Sequence, residues 1–266
     1  MATERLPNPF INVELELSRA IVRIGGVRVD EILGKTDKKN ADFLFDKHSV
    51  IAEMKVLEVD QISTERFVSK CSDIYARYLK EGKAPVRVFG TMRLTTDRFP
   101  EEFRREIANL YSVPLGRIVK AADNQIRSTK ELLIRPNHAG VLILVNNGNT
   151  AMDPSHVVWS LGEHLKEGQF PNINQVLFFT ANMSVEVNSR PKQSLGIPED
   201  MDMHVWFFAG RTEIARANVE FEPALREAWL SHLSGIVGRV AELNGNQELF
   251  SSLKNKNLRE KRGAGK

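Results

Sequence analysis

Three observations in the sequence predict an α/β fold. The runs Gly140-Val141-Leu142-Ile143-Leu144-Val145 and Gln175-Val176-Leu177-Phe178-Phe179-Thr180 are apolar almost without interruption and short enough for strands. Strands without polar alternation are buried on both faces, the habit of parallel strands covered by helices. Between them Asp153-Pro154 opens a helical stretch to about Lys166 that Gly168 ends, so 139–182 reads as a parallel, right-handed strand-helix-strand unit. Amphipathic helical stripes precede and follow it.

The elements follow in order. Asn8 before Pro9 makes an N-cap and first-turn pair, and Val13, Leu17, Ala20, Ile21 and Ile24 form an apolar stripe ending at Gly25-Gly26, so the first helix spans roughly 9–24. Two extended segments, 41–45 and 50–57, are joined through Asp46-Lys47-His48-Ser49 as a β-hairpin. Ser63 caps a helix whose inward face is Phe67, Cys71, Ile74, Tyr75, Tyr78 and Leu79, with Gly82 at its end. A short strand is expected around Val86 to Phe89. Pro100 opens another helix, Pro114 interrupts it, and a second helix runs from about 115 to 134. After the strand-helix-strand unit come a loop at 188–202, a strand over His204 to Ala209, and a helix from Pro223 to about Leu243. With no internal repeat or linker, 1–253 is expected to form one domain, followed by a basic, disordered tail at 254–266.

Composition bounds the function. At 266 residues, 42% hydrophobic and 27% charged, the chain can bury a full core. The lone Cys71 excludes a disulfide framework and a cysteine-based zinc site, and fits a reducing compartment. No signal core and no membrane-spanning apolar run is present, so the expectation is a cytoplasmic protein without membrane contact. Of the net charge of +3, residues 254–266 contribute +5 and the body therefore −2. Any nucleic-acid contact must then use local patches.

The chemistry-bearing feature is charge inside the hairpin. Glu53 and Lys55 interrupt the apolar run 50–57, and Asp42 opens the segment before it. A symmetric turn centred between Lys47 and His48 pairs residues whose numbers sum to 95, which sets Asp42 opposite Glu53. The period of two then puts Asp42, Glu53 and Lys55 on one face. Two facing carboxylates repel unless positive charge lies between them, and a divalent cation together with Lys55 would supply it.

Asp42, ten intervening residues and Glu53-Met54-Lys55, on consecutive strands followed by a helix, resemble the core of the PD-(D/E)xK nuclease superfamily, with Ala41 where that family's often-missing proline would stand. The resemblance covers about residues 8–82, with looser support to about 182. It implies a restriction-endonuclease-like core, a central mixed β-sheet flanked by helices. It also implies that Asp42 and Glu53, with the Met54 carbonyl, bind magnesium, or manganese in its place. Lys55 would position water or stabilise the phosphoryl transition state. The implied activity is hydrolysis of DNA, rather than RNA, to leave a 5′-phosphate. Composition alone predicts about two acid-x-Lys triplets. Three occur, but Asp37-Lys38-Lys39 lies in a polar loop and Glu81-Gly82-Lys83 at a helix end, so only Glu53-Met54-Lys55 has an acid in register.

Two further features bear on this reading. Glu14 and Glu16 flank the stripe of the first helix, and Glu14 is the expected additional metal ligand. On the helix at 115–134, Arg117, Lys120, Asn124 and Arg127 recur on one face with Lys130 nearby, a stripe able to follow a phosphate backbone. Residues 80–135 hold 12 basic and 7 acidic residues. The competing reading is a catalytically inactive nuclease-like fold that binds nucleic acid or protein; a homodimer is compatible with either. Gly34-Lys35-Thr36 lacks the upstream glycine of a phosphate loop, and HExxH, GxSxG and GxGxxG are absent. His156, Glu163 and His164 on one helix could share a metal or simply form a partly exposed face.

Overall fold

The computed structural model describes residues 11–58, 64–84, 99–149, 154–165, 169–182, 207–210 and 220–237. The expected cap Asn8-Pro9, Ser63, the strand at 86–89, the loop at 188–202 and the tail at 254–266 lie outside them. Within them the chain runs α1 (Val13–Arg23), β1 (Val27–Arg28), α2 (Val29–Leu33), β2 (Phe43–Phe45), a 3-10 turn (Asp46–His48) and β3 (Val50–Leu57). It continues through α3 (Glu65–Lys80), α4 (Glu101–Leu132), β4 (Ala139–Asn147), α5 (Pro154–His164), β5 (Gln175–Ala181), β6 (Phe207–Gly210) and α6 (Phe221–Val237).

The six strands form one mixed sheet in sequential order. β1, β2 and β3 are antiparallel neighbours, β3, β4 and β5 are parallel, and β6 returns antiparallel to β5. β4 is central and buried on both faces, as its apolar run requires. Alternate side chains divide two cores between the faces. On one face Val13, Leu17 and Ile21 of α1 and Phe221, Leu225 and Trp229 of α6 pack on Phe43, Phe45, Ala52, Val141, Ile143, Leu177 and Phe179. On the other, Leu115, Val119 and Ile126 of α4 and Val157 and Leu161 of α5 cover Leu44, Ile51, Leu142, Leu144, Val176 and Phe178. Helices thus lie on both sides of the sheet, and none of those described is long and apolar enough to cross a membrane.

Four local differences from the sequence reading have physical causes. α1 begins at Val13 because Asn12 is its cap, its side chain accepting from the Leu15 N–H at 3.1 Å, a contact worth about 1 kcal/mol. α3 likewise starts after Thr64, whose side chain accepts from the Phe67 N–H. β1 and α2 are new, and two- and five-residue elements carry too little periodicity to be read. Finally, α4 is one 32-residue helix with Pro114 inside it. An interior proline costs about 3 kcal/mol, whereas fully burying a Leu, Ile or Phe side chain gains about 1.5–3 kcal/mol each. Phe103 before the proline and Leu115, Val119 and Ile126 after it are all buried, so packing on both sides outweighs the break.

Close approach explains two glycines. A Cβ on Gly140 would meet the Asn172 carbonyl oxygen at 1.8 Å, because the chain before β5 exchanges hydrogen bonds with this residue: the Asn174 N–H donates to the Gly140 carbonyl and the Gly140 N–H to Asn174 Oδ1. A Cβ on Gly116 would meet the His164 ring at 2.5 Å. That imidazole lies flat enough on α4 for Nε2 to donate to the Ser112 carbonyl at 2.9 Å, in the turn around Pro114.

Candidate active site

The hairpin sets the site. Its 3-10 turn ends at Ser49, which takes the left-handed conformation at φ 50°, and the strands leave it with Phe45 opposite Val50, Leu44 opposite Ile51 and Phe43 opposite Ala52. Every pair sums to 95, the register expected from a turn centred between Lys47 and His48. One step further, Asp42 comes opposite Glu53, just before the first residue of β2. Ile51 and Leu57, two residues from Glu53 and Lys55 on β3, belong to the core under α4 and α5, so both charged side chains rise from that face.

Asp42 is held at both its carbonyl and its carboxylate. The carbonyl accepts from the Val29 N–H at 3.0 Å, and Oδ2 accepts from the Met54 N–H at 2.8 Å. The side chain therefore spans the end of the hairpin onto the backbone beside Glu53. Along β3, Val50 to Glu53 are buried, Met54 to Val56 half-buried and Leu57 buried again, and Glu58 just beyond the strand is exposed. Solvent therefore reaches this face at Lys55, between the buried Glu53 and Leu57.

Glu53 is the electrostatic anomaly. It has no accessible surface, and its carboxyl faces the Lys55 ammonium and the Asp42 side chain. The Lys55 ammonium closes on Oε1 as an ion pair. Burial pushes the Glu53 carboxyl up to about 8, the neighbouring Asp42 carboxylate pushes the same way, and Lys55 opposes them. A carboxyl that one ammonium does not bring back to its ordinary range is a group still short of positive charge, and such groups concentrate at functional sites.

The other expected residues divide. Glu14 is exposed on α1, whose buried side packs on the opposite face of the sheet, so the structure does not bring it to Asp42 and Glu53. Glu16 is engaged elsewhere, since its Oε2 meets His232 Nε2 at 2.6 Å, joining α1 to α6, and that contact holds its carboxyl below the usual range. Among the described residues no three His, Cys, Asp or Glu side chains are grouped to share a metal. That applies to His164 as well, which is engaged with Ser112. Cys71 is half-buried, and burial raises its thiol, so it is no activated nucleophile. Arg117, Lys120 and Arg127 are exposed along the outer side of α4, Arg127 touching Asn124 and Glu131. Lys130 departs from them: it is half-buried, and burial lowers its ammonium against the pull of Asp123.

Two groups were missed in the sequence. At the carboxyl ends of the parallel strands, Leu57, Asn146 and Thr180 are aligned, and the buried Asn146 side chain brackets the Asn149 backbone, its Nδ2 donating to the Asn149 carbonyl at 3.0 Å and its Oδ1 accepting from the Asn149 N–H at 3.1 Å. Polar residues closing β4 and β5 sit at the end of parallel strands where α/β sheets present ligands, and Asn146-Asn147 closing an apolar strand was the signal. The second is Thr129, fully buried on α4, whose Oγ1 accepts from the Ala41 N–H at 2.7 Å. It falls in phase with Leu115, Val119, Ala122 and Ile126, so a polar residue on an apolar stripe marked it. No protein-family model, curated protein or solved structure matches the chain.

Proposed function

We propose that this chain is a metal-dependent phosphodiesterase acting on DNA, with a restriction-endonuclease-like core of the PD-(D/E)xK kind. One observation carries the reading: a fully buried glutamate beside Asp42, ion-paired to a lysine two residues along the same strand. A leading helix, a mixed sheet and helices on both faces agree with it.

The donor set suits a hard divalent cation such as magnesium or manganese, which prefers carboxylate and carbonyl oxygens. Asp42 and Glu53, with the Met54 carbonyl, would hold it. When bound, such an ion supplies Lewis-acid charge to a phosphate and acidifies a bound water. The protein's own contribution is to keep two carboxylates poised at fixed positions in a poorly hydrated corner. Lys55, two residues along the strand and partly exposed, would offer its ammonium to the attacking water or to charge gathering on the phosphoryl oxygens. Arg117, Lys120 and Arg127 would meet the phosphate backbone away from the cut. They lie on the solvent side of α4, and a helix is about 10 Å across with its side chains, a reach of roughly three steps at 3.4 Å per nucleotide.

A second reading, binding without cleavage, is favoured by one observation: no third acid joins Asp42 and Glu53 among the described residues. The decisive experiment incubates the protein with single- and double-stranded DNA in magnesium or manganese beside Asp42→Ala and Lys55→Ala. Cleavage lost in both variants, with metal-dependent stabilisation of the wild type, supports the nuclease. Cleavage that survives both substitutions removes these residues from the site. Neither cleavage nor a metal-dependent rise in Tm leaves the binding module.

A further inference from the structure

We propose that Thr129 of α4 is a positioning residue for Asp42. The need for one follows from where Asp42 sits. β2 begins at Phe43, so Asp42 lies just before the paired strand residues, and the ladder alone does not fix its backbone. Three contacts from outside the hairpin do so instead. Thr129 Oγ1 takes the Ala41 N–H at 2.7 Å, the Val29 N–H takes the Asp42 carbonyl at 3.0 Å, and Gln125 Nε2 donates to the Asn40 carbonyl at 3.0 Å.

Thr129 is the strongest candidate among them. It is fully buried, and its hydroxyl proton is committed to the Gln125 carbonyl at 2.9 Å, so its oxygen is presented to Ala41 in one orientation. The bond is made in the core under α4, where a backbone N–H without a partner is costly. A peptide plane fixed at Ala41 limits where the next Cα–Cβ bond can point, and that bond carries the carboxylate that reaches Met54. Asn40 is tethered in turn, its Nδ2 donating to Thr36 Oγ1 at 2.7 Å. α4 thus grips the chain on the two residues before Asp42 and presents its outer side to solvent.

This inference rests on the nuclease reading only for the identity of the ion. Its experiment has two readouts, one of which needs no metal. The Met54 N–H is bonded to Asp42 Oδ2, so its hydrogen exchange in metal-free protein reports the pose of Asp42. Thr129→Val keeps the shape and loses the acceptor; Thr129→Ser keeps the acceptor and loses a methyl. Thr129→Val is expected to speed exchange at Met54 by about tenfold and to weaken Mn2+ binding, measured by calorimetry, by about tenfold or more. Thr129→Ser is expected to stay near wild type in both. A purely packing role predicts the reverse order, and Thr129→Val with unchanged Met54 exchange overturns the proposal. If Thr129→Val fails to fold, Thr129→Ala, which also removes the acceptor for the Ala41 N–H, takes its place; unchanged Met54 exchange there is equally fatal. Wild-type protein that binds no Mn2+ sinks the nuclease reading, while Met54 exchange still decides the role of Thr129.

Discussion

Replacing Glu53 by Gln in metal-free buffer should make the protein more stable, and by an amount that grows with pH. In the folded chain the Glu53 carboxyl titrates near 8, against an ordinary value of 4.5. A carboxyl whose folded value is raised costs nothing while it is protonated in both states. Between pH 4.5 and 8 the unfolded chain releases the proton and the folded chain keeps it, so stability falls as pH rises. Above 8 both states are ionised and the loss is complete. At about 1.4 kcal/mol per unit the whole window amounts to roughly 5 kcal/mol. Relaxation around the ionised group and the Lys55 pairing lower this, so a difference of about 3 kcal/mol at pH 8 is the working figure. Glutamine has the same shape without the charge, and its amide can donate to Asp42. Urea unfolding of both proteins at pH 5, 6.5 and 8 cancels every other titration. The two should agree within about 0.5 kcal/mol at pH 5 and separate steadily above it. A difference that is flat with pH would refute the burial argument, because it would mean that Glu53 ionises as it does in water.

Other perturbations test neighbouring parts. Asp42→Asn keeps an acceptor for Met54 and removes one charge, so the Glu53 carboxyl should titrate lower, as read from its carbon-13 shift; an unmoved midpoint would separate the two acids. Ile134 holds φ 55° at the end of α4 with 81% of its surface exposed. Ile134→Gly should therefore raise stability by about 0.5–1 kcal/mol in thermal unfolding, since a β-branched residue is strained in that conformation. Gly140→Ala should lower it by at least about 3 kcal/mol, or abolish folding, because the obstacle is the backbone of Asn172 rather than a movable side chain. Changing Arg117, Lys120 and Arg127 together to Ala should weaken DNA binding and flatten its dependence on log salt by about 3 in slope; an unchanged slope would take α4 out of the interface.

The parts legible in the sequence are those that depend on local pattern. The hairpin register came from turn length alone, because one residue of slip would have moved Phe43, Phe45 and Ala52 off their core. β4 and β5 were legible because nothing polar interrupts them. What depended on distant partners was hidden. α4 continues through Pro114 because of what its two halves pack against, and Asn12 takes the cap that Asn8-Pro9 also advertised. Glu14 was assigned by resemblance, while its place is fixed by the side of the sheet on which α1 lies. Asp42, Glu53 and Lys55 could be found because they break an apolar run. Thr129 and Asn146 do the same on α4 and β4, but an uncharged side chain in such a run is a weaker signal.

The bond between Ala41 and Thr129 joins residues 88 positions apart, which gives the site a history as well as a geometry. The hairpin with Glu53 and Lys55 is made early, within one short stretch of chain, and can pair as soon as it is synthesised. The Thr129 contact on the residue before Asp42 is added only after α4 has been made and has docked, on the order of ten seconds later at ordinary translation rates. On the proposed reading, a growing chain would carry the acids before α4 fixes the residue next to Asp42, and competence would arrive with the docking of a helix rather than with the appearance of the motif.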